Sequence, residues 1–374
     1  MQRVEVNMRR LTLLIHLFFL ILMATCFIGC GKTSGDTTLK LVKHGSGVTD
    51  EVSIRKLFWI KTNGKAGCID SDGDIAIEAK FDDIRCDANG LLLIQSGKLF
   101  GYANQKGEIV IEPQFDFADE FRDGMAVVRV DGKFGYLNSL ADFAIEPKFD
   151  FAKPFSEGFA IVGVDGLGFL GYQFRRSRSI FIKKDGVMAF PLSTFFAGQA
   201  FSEGLAKVWV GKEQGFINNR GEFVIPPRGS DIGEFHEGYA TIWSDNRLGY
   251  VNASGEIVIP AQFKQAGQFS EGIAPVAFES GKYGFIDKNG KTVIEAQFET
   301  ADNFYEGRAL VSLDSKKGYI DRTGKVVIPI QFGGADRFRN GLAQFSFQDG
   351  NVPYDETKWG YVDVSGKIVW NPTN

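Results

Sequence analysis

The sequence predicts an all-β protein: a tandem array of about nine three-stranded antiparallel units, open or superhelical, with a closed propeller-like ring as the alternative. Three observations predict it. A Gly-aromatic-aliphatic-Asn/Asp signature recurs along the chain at intervals of 34, 34, 45, 35, 34, 35, 34 and 42 residues, and a fixed period of this size marks repeat architectures. Glycine and phenylalanine are abundant, 45 and 35 of 374 residues, whereas histidine numbers 3. Short apolar segments punctuated by Gly and Pro read as strands.

Each unit is built from the same elements. A signature strand, Gly101-Tyr102-Ala103-Asn104, recurs from Gly67, Gly135, Gly215, Gly249, Gly284, Gly318 and Gly360, with a degenerate copy at Ile180-Phe181-Ile182-Lys183. It ends in a polar turn closed by a glycine (Gly107, Gly221, Gly255, Gly290, Gly324, Gly366), which supplies a positive φ at little steric cost. The Asp or Asn before the turn (Asp70, Asn104, Asn138, Asn218, Asn252, Asp287, Asp321, Asp363) is read as turn chemistry, its side chain accepting local backbone N–H groups. An Ile-Val-Ile strand follows, as at Ile109–Ile111 and Ile257–Ile259, and a proline often ends it (Pro113, Pro147, Pro226, Pro260, Pro329) because proline cannot continue a ladder.

A connection of about ten residues then carries Phe-x-x-Ala-x-x-Phe-x-x-Gly-x-Ala, as in Phe115, Ala118, Phe121, Gly124 and Ala126. Phe121, a representative of the second repeated ring, is expected in the core. The last strand alternates, with Ala126, Val128 and Val130 on one face and Met125, Val127 and Arg129 on the other. Grouping a unit as alternating strand, signature strand and Ile-Val-Ile strand lets the array begin at Leu57-Phe58-Trp59-Ile60 and end with Gly360–Trp370. Nine whole units result. A three-stranded sheet is too small to be stable alone, so neighbouring units must cover one another's apolar faces. Closed propellers usually have four to eight blades, which favours the open array.

The N-terminus carries an address. Arg9 and Arg10 precede a mostly apolar run from Leu11 to Ala24, the pattern of a secretory signal. Its end, Phe27-Ile28-Gly29-Cys30, resembles the lipobox of bacterial lipoproteins, with Gly29 fitting and Phe27 in place of the preferred Leu. That resemblance implies lipidation of Cys30, and several acyl chains at ~0.8 kcal/mol per buried methylene make a lasting anchor. The other readings are cleavage without lipid and an uncleaved helix over 11–28, which just reaches spanning length. All three place residues 31–374 outside the cytoplasm. The chain thus divides into a signal peptide (1–29), a tether (30–50) and a β-repeat domain (51–374) with insertions near 165–179 and 348–357.

The last copy of the signature is the fullest, Lys358-Trp359-Gly360-Tyr361-Val362-Asp363, and it resembles the bacterial WG-repeat family. The resemblance covers about residues 57–371 and rests on the period more than on the Trp. The other copies have Ala66, Phe100, Phe134, Ser179, Gln214, Leu248, Tyr283 and Lys317 at that place. Membership implies a β-rich, often exported protein and no shared biochemical activity.

Catalytic chemistry finds little support in the sequence. Beyond the signal only His44 and His236 remain, too few for a zinc site or a Ser-His-Asp set. Neither a metal nor a cofactor is expected. The glycines lie in hairpins and not in a strand-to-helix phosphate loop. Glu157, Glu203, Glu237, Glu271 and Glu306 each precede a glycine; a residue repeated in every unit is read as structural. Without the first 29 residues the chain holds 39 basic and 45 acidic residues, a poor surface for nucleic acid. Cys68 and Cys86 are a candidate disulfide in an exported protein; the other reading is two small apolar residues.

The expected function is therefore non-catalytic: a lipid-anchored bacterial envelope protein whose array binds protein or polymer. The alternative is a module that binds cell-wall or surface polysaccharide through Trp209 and Trp243, which share one position in adjacent units. Further candidate partner-binding residues lie in the first insertion: Phe169, Tyr172, Phe174, Arg175, Arg176 and Arg178. Aromatic rings beside arginines are typical of interface hot spots.

Overall fold

The computed structural model describes residues 56–87, 90–164, 178–191, 195–228, 231–347 and 358–371. They form nine small antiparallel sheets, each made from consecutive strands. The sheets are the blades of a nine-bladed β-propeller: 58–81, 83–115, 117–149, 151–183, 196–228, 239–263, 265–298, 300–332 and 334–370. Within a blade the order is the expected one. In blade 3, for example, the alternating strand Met125–Val130 pairs with the signature strand Lys133–Asn138, which pairs with Phe143–Phe149.

Three features of the architecture differ from the sequence expectation. The Ile-Val-Ile strand does not end at its proline: Ile109–Phe115, Phe143–Phe149, Phe223–Arg228, Ile257–Phe263 and Val326–Phe332 run through Pro113, Pro147, Pro226, Pro260 and Pro329, because the register of pairing shifts there and the ladder tolerates a residue without an N–H. The connection between units is not strandless. It contributes a short extra strand at the edge of most blades, such as Asp83–Ile84, Phe117–Ala118, Phe151–Ala152 and Phe196–Ala197. In blade 8 this strand lengthens to Thr300–Tyr305, and in blade 6 it shrinks to the bridge between Ile232 and Ile242. The array also closes instead of staying open. Each apolar cluster straddles two neighbouring blades, as Met125, Val127, Tyr136, Ile145 and Phe149 do with Phe155, Ala160, Val162 and Ile182. The last junction is of the same kind: Phe58, Ile60 and Ile69 of blade 1 bury against Leu342 and Tyr361 of blade 9. An open array needs end units with polar outer faces. Here both ends are apolar, and closure covers them.

The repeated glycine of the signature strand has a steric reason. A Cβ on Gly101 would lie 2.5 Å from the Ile111 carbonyl oxygen, and one on Gly249 would lie 2.4 Å from that of Ile259. The Ile-Val-Ile strand shifts register beside this glycine and crosses at backbone contact. Ile180 takes the position in the degenerate copy, and there the fourth strand is reduced to a bridge between Ile182 and Met188. The eight Asp and Asn residues before the turns behave as expected. Asn104 Oδ1, for instance, accepts N–H bonds from Lys106 and Glu108 at 2.9 and 3.0 Å, and Asp321 Oδ1 accepts from Thr323 and Lys325.

Seven successive junctions share one aromatic device. The Tyr or Phe of a signature strand meets the second repeated Phe of the following blade: Tyr102 with Phe121, Tyr136 with Phe155, Phe181 with Phe201, Phe216 with Phe235, Tyr250 with Phe269, Phe285 with Phe304, and Tyr319 with Phe338. Ring centroids lie 4.8–5.3 Å apart. Phe155, Phe201, Phe235, Phe269, Phe304 and Phe338 are buried. Phe121, expected in the core, is only half-buried; it sits at the junction of blades 2 and 3, beside a pocket lined by Phe100, Phe117 and Ala118. Where a tyrosine is present its hydroxyl also donates to the next blade's backbone, as Tyr102 to Asp119 O and Tyr250 to Gly267 O, both at 2.8 Å. Burial pushes these phenols well above their ordinary range, so the hydroxyls stay protonated donors.

The repeated glutamates form a second device. Asp123, Glu157, Glu203, Glu237, Glu271 and Glu306 adopt φ between 52° and 54°, a region non-glycine residues rarely occupy. Each carboxylate accepts the N–H of the glycine in the following blade's turn. The recipients are Gly158, Gly204, Gly238, Gly272, Gly307 and Gly341, at 2.6–3.0 Å. The repeated carboxylate thus ties each turn to the next blade.

Candidate binding surface

Seven Phe and Trp side chains are exposed among the described residues: Phe117, Phe151, Phe196, Trp209, Phe223, Trp243 and Phe347. Five of them fall in one cross-strand row that recurs from blade to blade. In blade 3 the row is Phe117, Arg129 and Phe134. In blade 4 it begins with Phe151 opposite Gly163, in blade 5 it is Phe196, Trp209 and Gln214, and in blade 6 it is Trp243 and Leu248. Side chains directly opposite one another on paired strands share a face. The row therefore lies at the end of each sheet that carries the hairpin between alternating and signature strands.

Exposure here follows from position along the strand. Leu205 of blade 5 is in the apolar cluster shared with blade 6. Lys207, next on that face, is buried with its ammonium 5.9 Å from the Phe216 ring centre and 3.5 Å from Asp231. Trp209 comes two residues further, past the end of the core, and is 37% exposed; Trp243 at the equivalent place in blade 6 is 42% exposed. Gly198 makes room for the first indole, because a Cβ there would lie 3.1 Å from Trp209 Cδ1. The rings at the start of the row touch in sequence: Phe100 lies 6.4 Å from Phe117 and Phe117 lies 5.8 Å from Phe134. The Arg129 guanidinium sits 5.6 Å from the Phe134 ring centre.

The other sequence-predicted residues fall differently. Cys68 and Cys86 are buried and joined by a disulfide, with Cα atoms 6.0 Å apart. Cys30, Phe169, Tyr172, Phe174, Arg175 and Arg176 lie outside the described residues. Arg178 opens the signature strand of blade 4, its backbone opposite Val164. His236 is half-buried in a turn, with Glu234 3.9 Å away. Among the described residues no group of three or more His, Cys, Asp or Glu is placed to hold a metal ion. The phenylalanine members of the row were missed in the sequence. Phe117, Phe151 and Phe196 belong to the connecting segment, whose phenylalanines read as interior rings, and only the short edge strand turns them outward.

The fold and this surface define the class: a nine-bladed propeller of repeated units with an aromatic row along one end of its blades. The family model described as WG containing repeat matches residues 67–99, 100–134, 134–167, 215–242, 249–282, 283–316 and 318–351. The chain belongs to this family. No curated protein matches its sequence. Among solved structures it is similar to a eukaryotic initiation factor, with 8% identity and a TM-score of 0.55 over 84% of this chain and 95% of that one. It also resembles BamB from Moraxella catarrhalis (12% identity, TM-score 0.40, 71% and 92% covered). A third is apo AztD from Citrobacter koseri (14% identity, TM-score 0.40, 73% and 93% covered). At such identities the likeness is one of fold.

Proposed function

We propose that the protein is a non-catalytic binding protein of the bacterial cell envelope, held to a membrane by lipid on Cys30, and that its aromatic row grips an extended polysaccharide. The row is the observation that supports this reading. Exposed rings spaced along successive blades suit a polymer of stacked sugar rings, each ring face offering apolar contact while the hydroxyls stay wet. Trp209 and Trp243 stand at equivalent places in adjacent blades, which favours the polysaccharide over a protein partner.

The test is co-sedimentation of the full chain, in detergent, with isolated cell-wall polysaccharide. The double variant Trp209→Ala, Trp243→Ala should lose most of the bound fraction while its circular dichroism stays unchanged. Retention that ignores both tryptophans and disappears when the wall is treated with protease would instead identify a protein partner. For the anchor, Cys30→Ser should release the chain from membranes and abolish acyl labelling. Unchanged detergent-phase partitioning of that variant would indicate an uncleaved helix.

A further inference from the structure

The row ends, at the junction of blades 2 and 3, in a pocket of about 330 Å³ lined by Asp83, Arg85, Gln95, Phe100, Phe117 and Glu120, with Leu93, Ile94, Ala118 and Asp119 completing it. Two replacements account for the space. Where blade 3 places Phe117 and Arg129 in the row, blade 2 places the smaller Asp83 and Gln95 at the matching register. Phe100 and Phe117 form aromatic walls, and Phe117 is exposed to solvent.

The charges in this pocket do not balance. Its lining holds three carboxylates, Asp83, Asp119 and Glu120, and one cation, Arg85. Asp83 accepts the Trp59 indole N–H at 3.0 Å, and Arg85 is 3.9 Å from it. Asp119 accepts the backbone N–H of Glu120. The Glu120 carboxylate has Arg122 at 3.9 Å. Burial, and then the neighbouring Asp87 and Asp119, push the Glu120 carboxyl above its ordinary range, with Arg122 and Arg85 opposing only in part. With Arg122 counted, three carboxylates face two guanidinium groups, so the pocket combines ring faces with one uncompensated negative charge, the surroundings that hold an ammonium group.

We infer that the pocket between blades 2 and 3 is a subsite for a sugar residue bearing a free amino group. The inference rests on the polysaccharide reading of the row. The row supplies stacking for successive sugar rings, and the pocket takes the ammonium of one of them against Glu120 and Asp119, with Phe100 and Phe117 beside it. An N-acetylated sugar lacks the charge that this lining needs.

Calorimetric titration of the full chain in detergent, with the β-1,4 tetramer of glucosamine and with that of N-acetylglucosamine, tests it. The amine tetramer is expected to bind about tenfold or more tightly than the acetylated one. Glu120→Gln and Phe117→Ala should each remove about that advantage. Gln95→Arg, which copies blade 3, should fill the pocket and abolish the preference, and it keeps the inference open to test if Glu120→Gln fails to fold. Equal affinity for the two tetramers overturns the charge assignment and leaves the polysaccharide reading standing. Binding of 1,5-diaminopentane as tight as that of the amine tetramer overturns the sugar assignment. If neither tetramer binds while wall binding still depends on Trp209 and Trp243, only the subsite falls. If wall binding is absent as well, both readings fall.

Discussion

The junctions of blades 3 to 8 and the two junctions that flank blade 1 do the same job with different chemistry. Along the regular stretch, each interface has a ring pair, such as Phe285 with Phe304 at 5.1 Å, and a carboxylate that accepts an N–H from the next blade's turn, such as Glu271 from Gly307. Between blades 1 and 2 the disulfide Cys68–Cys86 replaces the ring pair, with Cys68 standing at the Tyr or Phe position of the signature strand. Between blades 9 and 1 the rings are Phe58 and Tyr361, 5.5 Å apart. There the Tyr361 hydroxyl reaches Trp59 O at 2.8 Å, in the alternating strand itself. In other blades the matching carbonyl, Val127 O for example, accepts from the connecting segment, there the Asp119 N–H at 2.9 Å. Repetition stabilises neighbours; at the closing junction a repeated tyrosine, Tyr361, meets Phe58, which stands where blade 3 has Ala126.

Breaking a regular ring pair should have the largest effect. Phe304 is fully buried, and truncating such a ring costs about 3–5 kcal/mol, so Phe304→Ala should lower the thermal midpoint sharply. Hydrogen exchange then sharpens the comparison. A closed ring predicts protection lost across all blades, whereas loss confined to blades 7 and 8 would mean that the seam is not cooperative with the rest.

The disulfide comes next. Cross-linking residues 18 apart in sequence constrains the unfolded chain by about 3 kcal/mol in the loop-entropy model. Cys68→Ser with Cys86→Ser should therefore destabilise the protein by that order in denaturant melts. No change in midpoint would mean that blade 1 is held by its packing against blade 9.

Removing a hydroxyl is milder. A hydrogen bond of this kind contributes about 0.5–1.5 kcal/mol, so Tyr250→Phe and Tyr361→Phe should each cost that much. A larger loss for Tyr361→Phe would show that the junction of blades 9 and 1 depends more on this bond than a regular junction does on its own.

The smallest effect is expected from the carboxylate relay. For Glu237, burial opposes ionisation but is outweighed by the Lys288 ammonium and by the N–H groups of Gly272 and Glu271; the carboxyl lies below its ordinary 4.5. Asp123 is held below 3.8 by Lys184 and the Gly158 N–H against the same burial. A carboxyl with a lowered folded pKa adds stability that is fully present above the unfolded value and is lost as pH falls through the folded one. Melting temperature should thus hold from pH 7 to about 5 and decline below about 4.5. Glu237→Gln should flatten that decline, measured by scanning calorimetry across the same range.

Much of this protein was legible before any fold was known. The 34-residue period, the turn role of Asn104 and Asp321 and the structural reading of the repeated glutamates depend on local backbone chemistry, which a side chain and its near neighbours in sequence determine. The identity of Glu157 or Glu271 as part of a relay was not legible, because its acceptor role involves a turn one whole unit away. The phenylalanines of the aromatic row lay hidden for a related reason, although Trp209 and Trp243 did not. Phe117 and Phe155 both sit in the same connecting segment type, yet the first is exposed and the second buried, and only the short edge strand decides which way each ring turns. Ring closure was also decided at the tertiary level. Blade count alone favoured an open array, but the number of blades that closes depends on the small rotation between packed sheets, summed over every junction. The apolar ends, Phe58 and Ile60 at one and Tyr361 at the other, were visible in the sequence. Only their meeting in space showed that the chain covers them with each other, since apolar faces are stabilised by burial.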